Sequence, residues 1–264
     1  MRPYLPNRTR VRRHRDDRVR AEREGGLVMD KSTTVDGTEG YRPIPLEFER
    51  LPLDVSRKRS RDFLETIRKR RSIRSFSSEP VPFDLIENAI AAAGAAPSGA
   101  NQQPWTFVVV TDPDLKRQIR EAAETEEQSF YDHRISDEWR TALVSLGTDA
   151  IKTHLTDAPY IVVVFEQPFG LKIGADGKEQ RVKHYYAQES VGIAVGLFLA
   201  SITEAGLCAL THTPSPMNFL RTLLKRPRNE RPFVVLPVGY PAKDATVPAH
   251  ALEKKSLDQI MVRM

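Results

Sequence analysis

Arg70-Arg71-Ser72-Ile73-Arg74 places three guanidiniums and a hydroxyl within five residues. Guanidiniums stay charged and present paired N–H donors, so such a run suits bidentate, charge-assisted binding of a phosphate dianion. It also reads as a solvated helix end, because the helix macrodipole favours cations at a C-terminus. A second stretch runs Ala96-Pro97-Ser98-Gly99-Ala100-Asn101-Gln102-Gln103-Pro104-Trp105. Pro97 fixes its entry, and Gly99 and Ala100 are small enough for a ligand to approach the backbone closely. Ser98, Asn101 and Gln102 add hydrogen-bonding groups. The stretch suits the border of a planar ligand, or an ordinary polar turn.

Absent motifs narrow the chemistry. Neither a phosphate loop, G-x-x-x-x-G-K-[ST], nor a well-placed dinucleotide fingerprint, G-x-G-x-x-G, occurs. H-E-x-x-H and G-x-S-x-G are missing too. His133, His154, His184, His212 and His250 are scattered, so no metal cluster is expected, and each reads first as a structural or surface residue. The single cysteine, Cys208, excludes an intramolecular disulfide and cysteine-based zinc sites and fits a reducing compartment.

The elements that must position these residues are legible in part. Ser60 to Arg71 reads as a helix, with Phe63, Leu64 and Ile67 on one side. Phe83 to Ala95 is a second helix, its apolar face built from Leu85, Ile86, Ala89, Ile90 and Ala93. Strands are expected at Phe107–Thr111, Tyr160–Phe165, Leu207–Thr211 and Phe233–Tyr240. Pro113 opens a helix reaching about Glu126, and further helices are expected over Ser136–Leu155 and Asn218–Lys225. Gly170 to Gly177 reads as a turn-rich insertion. Tyr185 to Ala205 is apolar nearly all round, which places it in a core or an interface. Alternating Ile260 and Val262 suit a last strand added at a sheet edge. The expected fold is α+β, a central mixed sheet sandwiched by helices.

The 264 residues are 40% hydrophobic and 28% charged, an ordinary soluble composition long enough for one sizeable domain. Val191 to Ile202, the longest nearly unbroken apolar stretch, is short of the roughly 18 residues a membrane span needs. Net charge is +5, and nine Arg against four acids in residues 1–28 account for all of it. The remainder carries 31 basic and 31 acidic residues, so a nucleic-acid role would rest on that tail alone. Residues 1–45 read as a disordered Arg-rich tail and arm, and 46–264 as the domain. Met29 offers an alternative start.

Taken together, Arg70-Arg71-Ser72-Ile73-Arg74, Pro97-Ser98-Gly99-Ala100, Pro104-Trp105 and Val238-Gly239-Tyr240-Pro241 resemble the flavin-dependent nitroreductase superfamily. More closely, the chain is similar to the iodotyrosine deiodinases from about Leu51 to Val262. His184-Tyr185-Tyr186, Thr211-His212-Thr213-Pro214 and Leu257-Asp258-Gln259-Ile260-Met261-Val262 belong to the likeness.

The resemblance implies a nitroreductase-like, domain-swapped homodimer with FMN at the subunit interface. Arg70, Arg71, Ser72, Ile73 and Arg74 would hold the FMN phosphate and ribityl chain, joined by Lys254 where the family has arginine, and Ser98 would contact FMN. Thr211, His212 and Thr213 would border the isoalloxazine, with the Thr213 hydroxyl bonding N5 as the residue assigned to catalysis. His212 stands where threonine is familiar. Ala100 would offer its backbone to the substrate phenolate.

Glu127 and Tyr131 are four apart, hence on one face if helical, and Lys152 follows on the next expected helix. The resemblance matches all three to the substrate lid. A zwitterionic amino acid needs such a set: a carboxylate for its ammonium, an ammonium and a phenol for its carboxylate. Taken singly they also read as solvated charges. The expected activity is reductive dehalogenation of halotyrosine, with NAD(P)H as ultimate electron donor, directly or through a separate flavin reductase. A broad nitro- or quinone reductase of the same fold is the alternative, although nitroaromatics offer no zwitterion to clamp. No nucleic-acid partner, no metal and no membrane anchor are expected, and the location expected is cytoplasmic.

Overall fold

Alternation along one strand writes both faces of the central sheet. In Tyr160–Glu166 (β2), Val162 and Val164 enter one apolar core while Ile161, Val163 and Phe165 enter another. All five are fully buried, so β2 is an inner strand covered on both sides. The computed structural model describes residues 42–133, 135, 136 and 149–264. The expected Arg-rich tail, and most of the helix expected over 136–155, lie outside the described residues.

The other strands are β1 (Trp105–Val110), β3 (Phe169–Ile173), β4 (Glu179–Lys183), β5 (Cys208–Ala209) and β6 (Arg231–Gly239). Four of the six form a sheet in the order β1-β2-β6-β5, and β3 and β4 pair separately. Every ladder is antiparallel. The expected mixed sheet is therefore corrected: among the described residues the parallel element is one isolated bridge, Ser72 to Ala209.

Described helices are α1 (Leu53–Lys69), α2 (Phe83–Gly94), α3 (Pro113–His133), α4 (His154–Asp157), α5 (Ala187–Glu204), α6 (Asn218–Leu223) and α7 (Leu257–Ile260). One sheet face is covered by Ile86, Ala89 and Ala93 of α2 with Val191, Ala194, Phe198 and Ile202 of α5. The opposite face is covered by Ile119 and Ala123 of α3, Leu155 of α4 and Leu220 of α6. Helices thus sandwich the sheet as expected.

Several boundaries move, each for a local reason. α1 starts at Leu53, directly after Pro52, and ends at Lys69, before the expected Arg71. Its charged first turns carry no apolar period, and Ile73 must leave the helix to donate its N–H to the Ala209 carbonyl. The expected insertion at Gly170–Gly177 is instead most of β3, through Ile173, and the tip of the β3–β4 hairpin, where Gly177 has φ +71°. α5 begins after Tyr186, whose φ of +53° interrupts the helix. The expected C-terminal strand is instead α7. Ser256 and Gln259 close a capping box around its first turn, a stronger local signal than the alternation that follows.

Candidate active site

Segment 70–74 leaves α1 and adds to the sheet edge beyond β5. Its half-buried Arg70, Arg71, Ser72 and Arg74 line a cleft of about 250 Å³ with Val247, Pro248, Ala251 and Lys254. An adjoining cleft of about 500 Å³ shares Arg70, Arg71 and Lys254. Arg71 also donates to the Arg68 and Arg70 carbonyls at 2.5 and 2.7 Å, closing the end of α1. Among the described residues, Arg70, Arg74 and Lys254 enter no ion pair and no side-chain hydrogen bond. Cations gathered around one cleft without an acid repel each other unless an anion joins them.

A second cluster lies on the α3 face of the sheet. The buried stripe of α3 runs Ile119, Ala123 at i, i+4 spacing, and Glu127 occupies the next place on it. Its two carboxylate oxygens are divided between partners. Oε1 lies 3.4 Å from His212 Nε2, and Oε2 lies 3.4 Å from Lys152 Nζ. Lys152 is buried in non-helical chain just ahead of α4, not on a helix as expected. Its ammonium also donates to the Asp149 carbonyl. Glu124 fixes the Lys152 backbone: its Oε1 accepts from the Lys152 N–H and from Arg120 Nε, 2.7 Å each.

Electrostatics follow from this packing. Burial alone would raise the Glu127 carboxyl, but the His212 ring and Lys152 ammonium outweigh it, so it titrates below the usual carboxylate range. Glu124 is likewise held low: burial opposes it, and the Lys152 N–H and Arg120 prevail. Burial, with His212, Lys152, Arg74 and Arg120 nearby, pushes His154 down to about 3, so it is neutral. His154 meets His212 edge to face, 5.2 Å between centroids. In the sequence His154 reads only as a structural or surface residue, its sole signal an imidazole two positions after Lys152.

Extended backbone alternation separates the Thr-His-Thr residues. His212 pairs with Val235 through two 2.9 Å backbone hydrogen bonds and buries its ring toward Glu127, while Thr211 and Thr213 are exposed. Tyr131 lies one turn beyond Glu127, half-buried, its ring edge-on to Phe130 at 5.7 Å.

The 98–103 loop is held elsewhere. Ala100, Asn101 and Gln103 all adopt positive φ, near +50°, which costs energy in non-glycine residues unless the surroundings impose it. The Ser98 hydroxyl accepts the Gln103 N–H at 2.9 Å. The Gln102 side chain donates to the Lys183 carbonyl and accepts from the Tyr185 N–H. At Gly99 a Cβ would fall 2.4 Å from the Tyr185 carbonyl oxygen, so this close approach requires glycine. The loop's described hydrogen bonds thus run to the entry of α5, not to the arginine cleft or Glu127.

One helix-sandwiched antiparallel sheet thus carries a basic cleft whose described lining has no acid and a buried pair of opposed charges. The chain belongs to the nitroreductase family, whose model matches residues 67–240. Within it the chain is similar to iodotyrosine deiodinases. It is 50% identical over 204 residues to that of Haliscomenobacter hydrossis, covering 77% of this chain and 89% of the relative. It is 49% identical over 225 residues to iodotyrosine deiodinase 1 of Mus musculus, covering 85% and 77%. A solved iodotyrosine deiodinase, oxidized and bound to FMN and 3-iodo-L-tyrosine, aligns with a TM-score of 0.62 at 31% identity. That match covers 76% of this chain and 97% of the other.

Proposed function

We propose that this chain is an FMN-dependent oxidoreductase that removes halide reductively from halotyrosines, releasing tyrosine. The observation that carries the reading is the pairing of two sites: cations awaiting an anion, and Glu127 with Lys152 carrying the two charges that an amino acid would match. Likeness to deiodinases over most of their length supports it.

The donor chemistry of the cleft fits the phosphate of FMN. Arg70, Arg71, Arg74 and Lys254 supply cationic donors, with Ser72 and Ile73 beside them. Ser98, from the loop of a second copy, with Thr211 and His212 would complete the cofactor contacts, and Thr213, whose side chain is exposed, would offer a hydroxyl to N5. Bound FMN supplies the two electrons that, with a proton, exchange carbon–halogen for carbon–hydrogen. Glu127 receives the substrate ammonium, and Tyr131 and Lys152 its carboxylate. The Ala100 backbone, offered by the loop of a second copy, would hold the phenolate. Burying these charges with the substrate excludes water and strengthens each contact.

A homodimer, domain-swapped as in the family reading, suits two features of the fold. The outward face of α5 leaves Ile193 and Leu197 47% and 39% exposed, and Phe63 of α1 lines the same groove as Leu197. The 98–103 loop, bound to the entry of α5, can serve the cofactor of a second copy. NAD(P)H is the ultimate electron donor, directly or through a separate flavin reductase. Among the described residues no helix is long and apolar enough to cross a membrane.

The test is a spectrum and two titrations. Purified protein should be yellow, and 3-iodotyrosine should quench its flavin fluorescence at concentrations where a nitrofuran does not. Colourless protein that rejects added FMN would end the proposal. Preference for the nitrofuran would favour a nitroreductase.

A further inference from the structure

Lys152 and Glu127 satisfy one another, although the proposed reaction needs each to face a different end of the substrate. Their side chains are 5% and 16% exposed, so neither is free to take an external ion without parting from its partner. The two are not equally fixed. Lys152 is anchored by Glu124 at its backbone and by the Asp149 carbonyl at its ammonium. Glu127 is held in this cluster by two 3.4 Å contacts, long for charged hydrogen bonds. His212, one of those two contacts, sits on the rigid sheet through both its backbone bonds to Val235.

Resting on the reading above, we infer that His212 is a specificity-determining latch: it holds Glu127 against Lys152 until a ligand bearing both an ammonium and a carboxylate exchanges with the pair. A ligand with one charge cannot make that exchange, because it leaves the other member of a buried pair without a partner. A zwitterion replaces both at once. Thr211 and Thr213, on the exposed side of the strand, do not reach Glu127 by this route; the inward-facing middle residue does.

The experiment uses the flavin-loaded protein at one pH with 3-iodotyrosine and its two one-charge analogues, the decarboxylated amine and the deaminated acid. Dissociation constants are read from flavin fluorescence for wild type, His212→Thr and His212→Gln. The wild type should prefer 3-iodotyrosine over each analogue by about 10-fold more than the variants do, as loss of a charge-assisted contact to Glu127 requires. Should a variant retain flavin poorly, the same ratios are read by calorimetry at saturating FMN. Equal preference ratios in all three proteins overturn the latch while leaving the dehalogenase reading intact. Flavin-loaded wild type that ignores 3-iodotyrosine overturns both.

Discussion

His154 and His212 meet edge to face, 5.2 Å between centroids, and each keeps one buried ring nitrogen, Nε2 and Nδ1 respectively, without a partner among the described residues. Buried polar atoms are seldom left unsatisfied, and such exceptions concentrate where proteins bind or react. The charges of Lys152 and of Arg74, which lines the arginine cleft, both reach His154, while His212 contacts Glu127.

His154 should make the protein acid-sensitive well above carboxylate pH. Its native ring titrates at about 3 against an ordinary 6.5. Below pH 6.5 the unfolded chain takes up a proton that the native state refuses. The stabilising contribution is therefore complete above pH 6.5 and is lost as pH falls toward about 3. The slope is up to about 1.4 kcal/mol per pH unit. Glu124 and Glu127, both held low, act in the same direction only below about pH 4.5. Denaturant unfolding of His154→Gln between pH 6 and 5 should show a shallower decline than wild type, and an equal slope would remove His154 as the cause.

Breaking the Glu127–Lys152 pair should cost more than deleting it. Lys152→Met leaves the Glu127 carboxylate half-buried beside His212 and should destabilise by up to about 3 kcal/mol, a figure reduced by the residual exposure of Glu127. Lys152→Met combined with Glu127→Gln should recover most of that loss in thermal melts. Affinity for 3-iodotyrosine should remain at least about 10-fold weakened in both. Recovery of binding in the double variant would place the zwitterion elsewhere.

Arg70→Ala and Lys254→Ala should each weaken FMN binding by about 10-fold or more, as loss of a charge-assisted contact does. Riboflavin, which lacks the phosphate, is the control. Its affinity should not change in these variants, and an equal loss for both ligands would mean that the phosphate lies outside this cleft.

The lone thiol should be inert. Burial pushes Cys208 up to about 12, and its sulfur donates to the Gly239 carbonyl. A thiol-reactive dye should label native protein slowly and unfolded protein at once, and rapid native labelling would contradict the packing.

What could be read in advance followed strong local signals. The Leu85–Ala93 period announced α2, and the valine-rich runs announced β1, β2 and β6. The first turns of α1 escaped because Arg57, Lys58, Arg59 and Arg61 give a solvated helix no apolar stripe. The last helix was misread as a strand because Ile260 and Val262 alternate, while the deciding interaction was the Ser256–Gln259 cap just before them. In the site, residue types suggested chemistry but not company. Nothing in the sequence announced that Glu127 and Lys152 would face each other, or that His212 would turn away from its threonine neighbours. Those contacts join α3, the chain before α4 and the extended chain that follows β5, segments far apart in sequence.

α5 is shared by two jobs on opposite sides of one cylinder: Phe198 and Ile202 seal the sheet, while Ile193 and Leu197 look outward. In the proposed homodimer, a copy seated on that outer side would brace the same rod that roofs the β-core and couple assembly to folding by mass action. Melting temperature should consequently climb with protein concentration even when flavin is saturating.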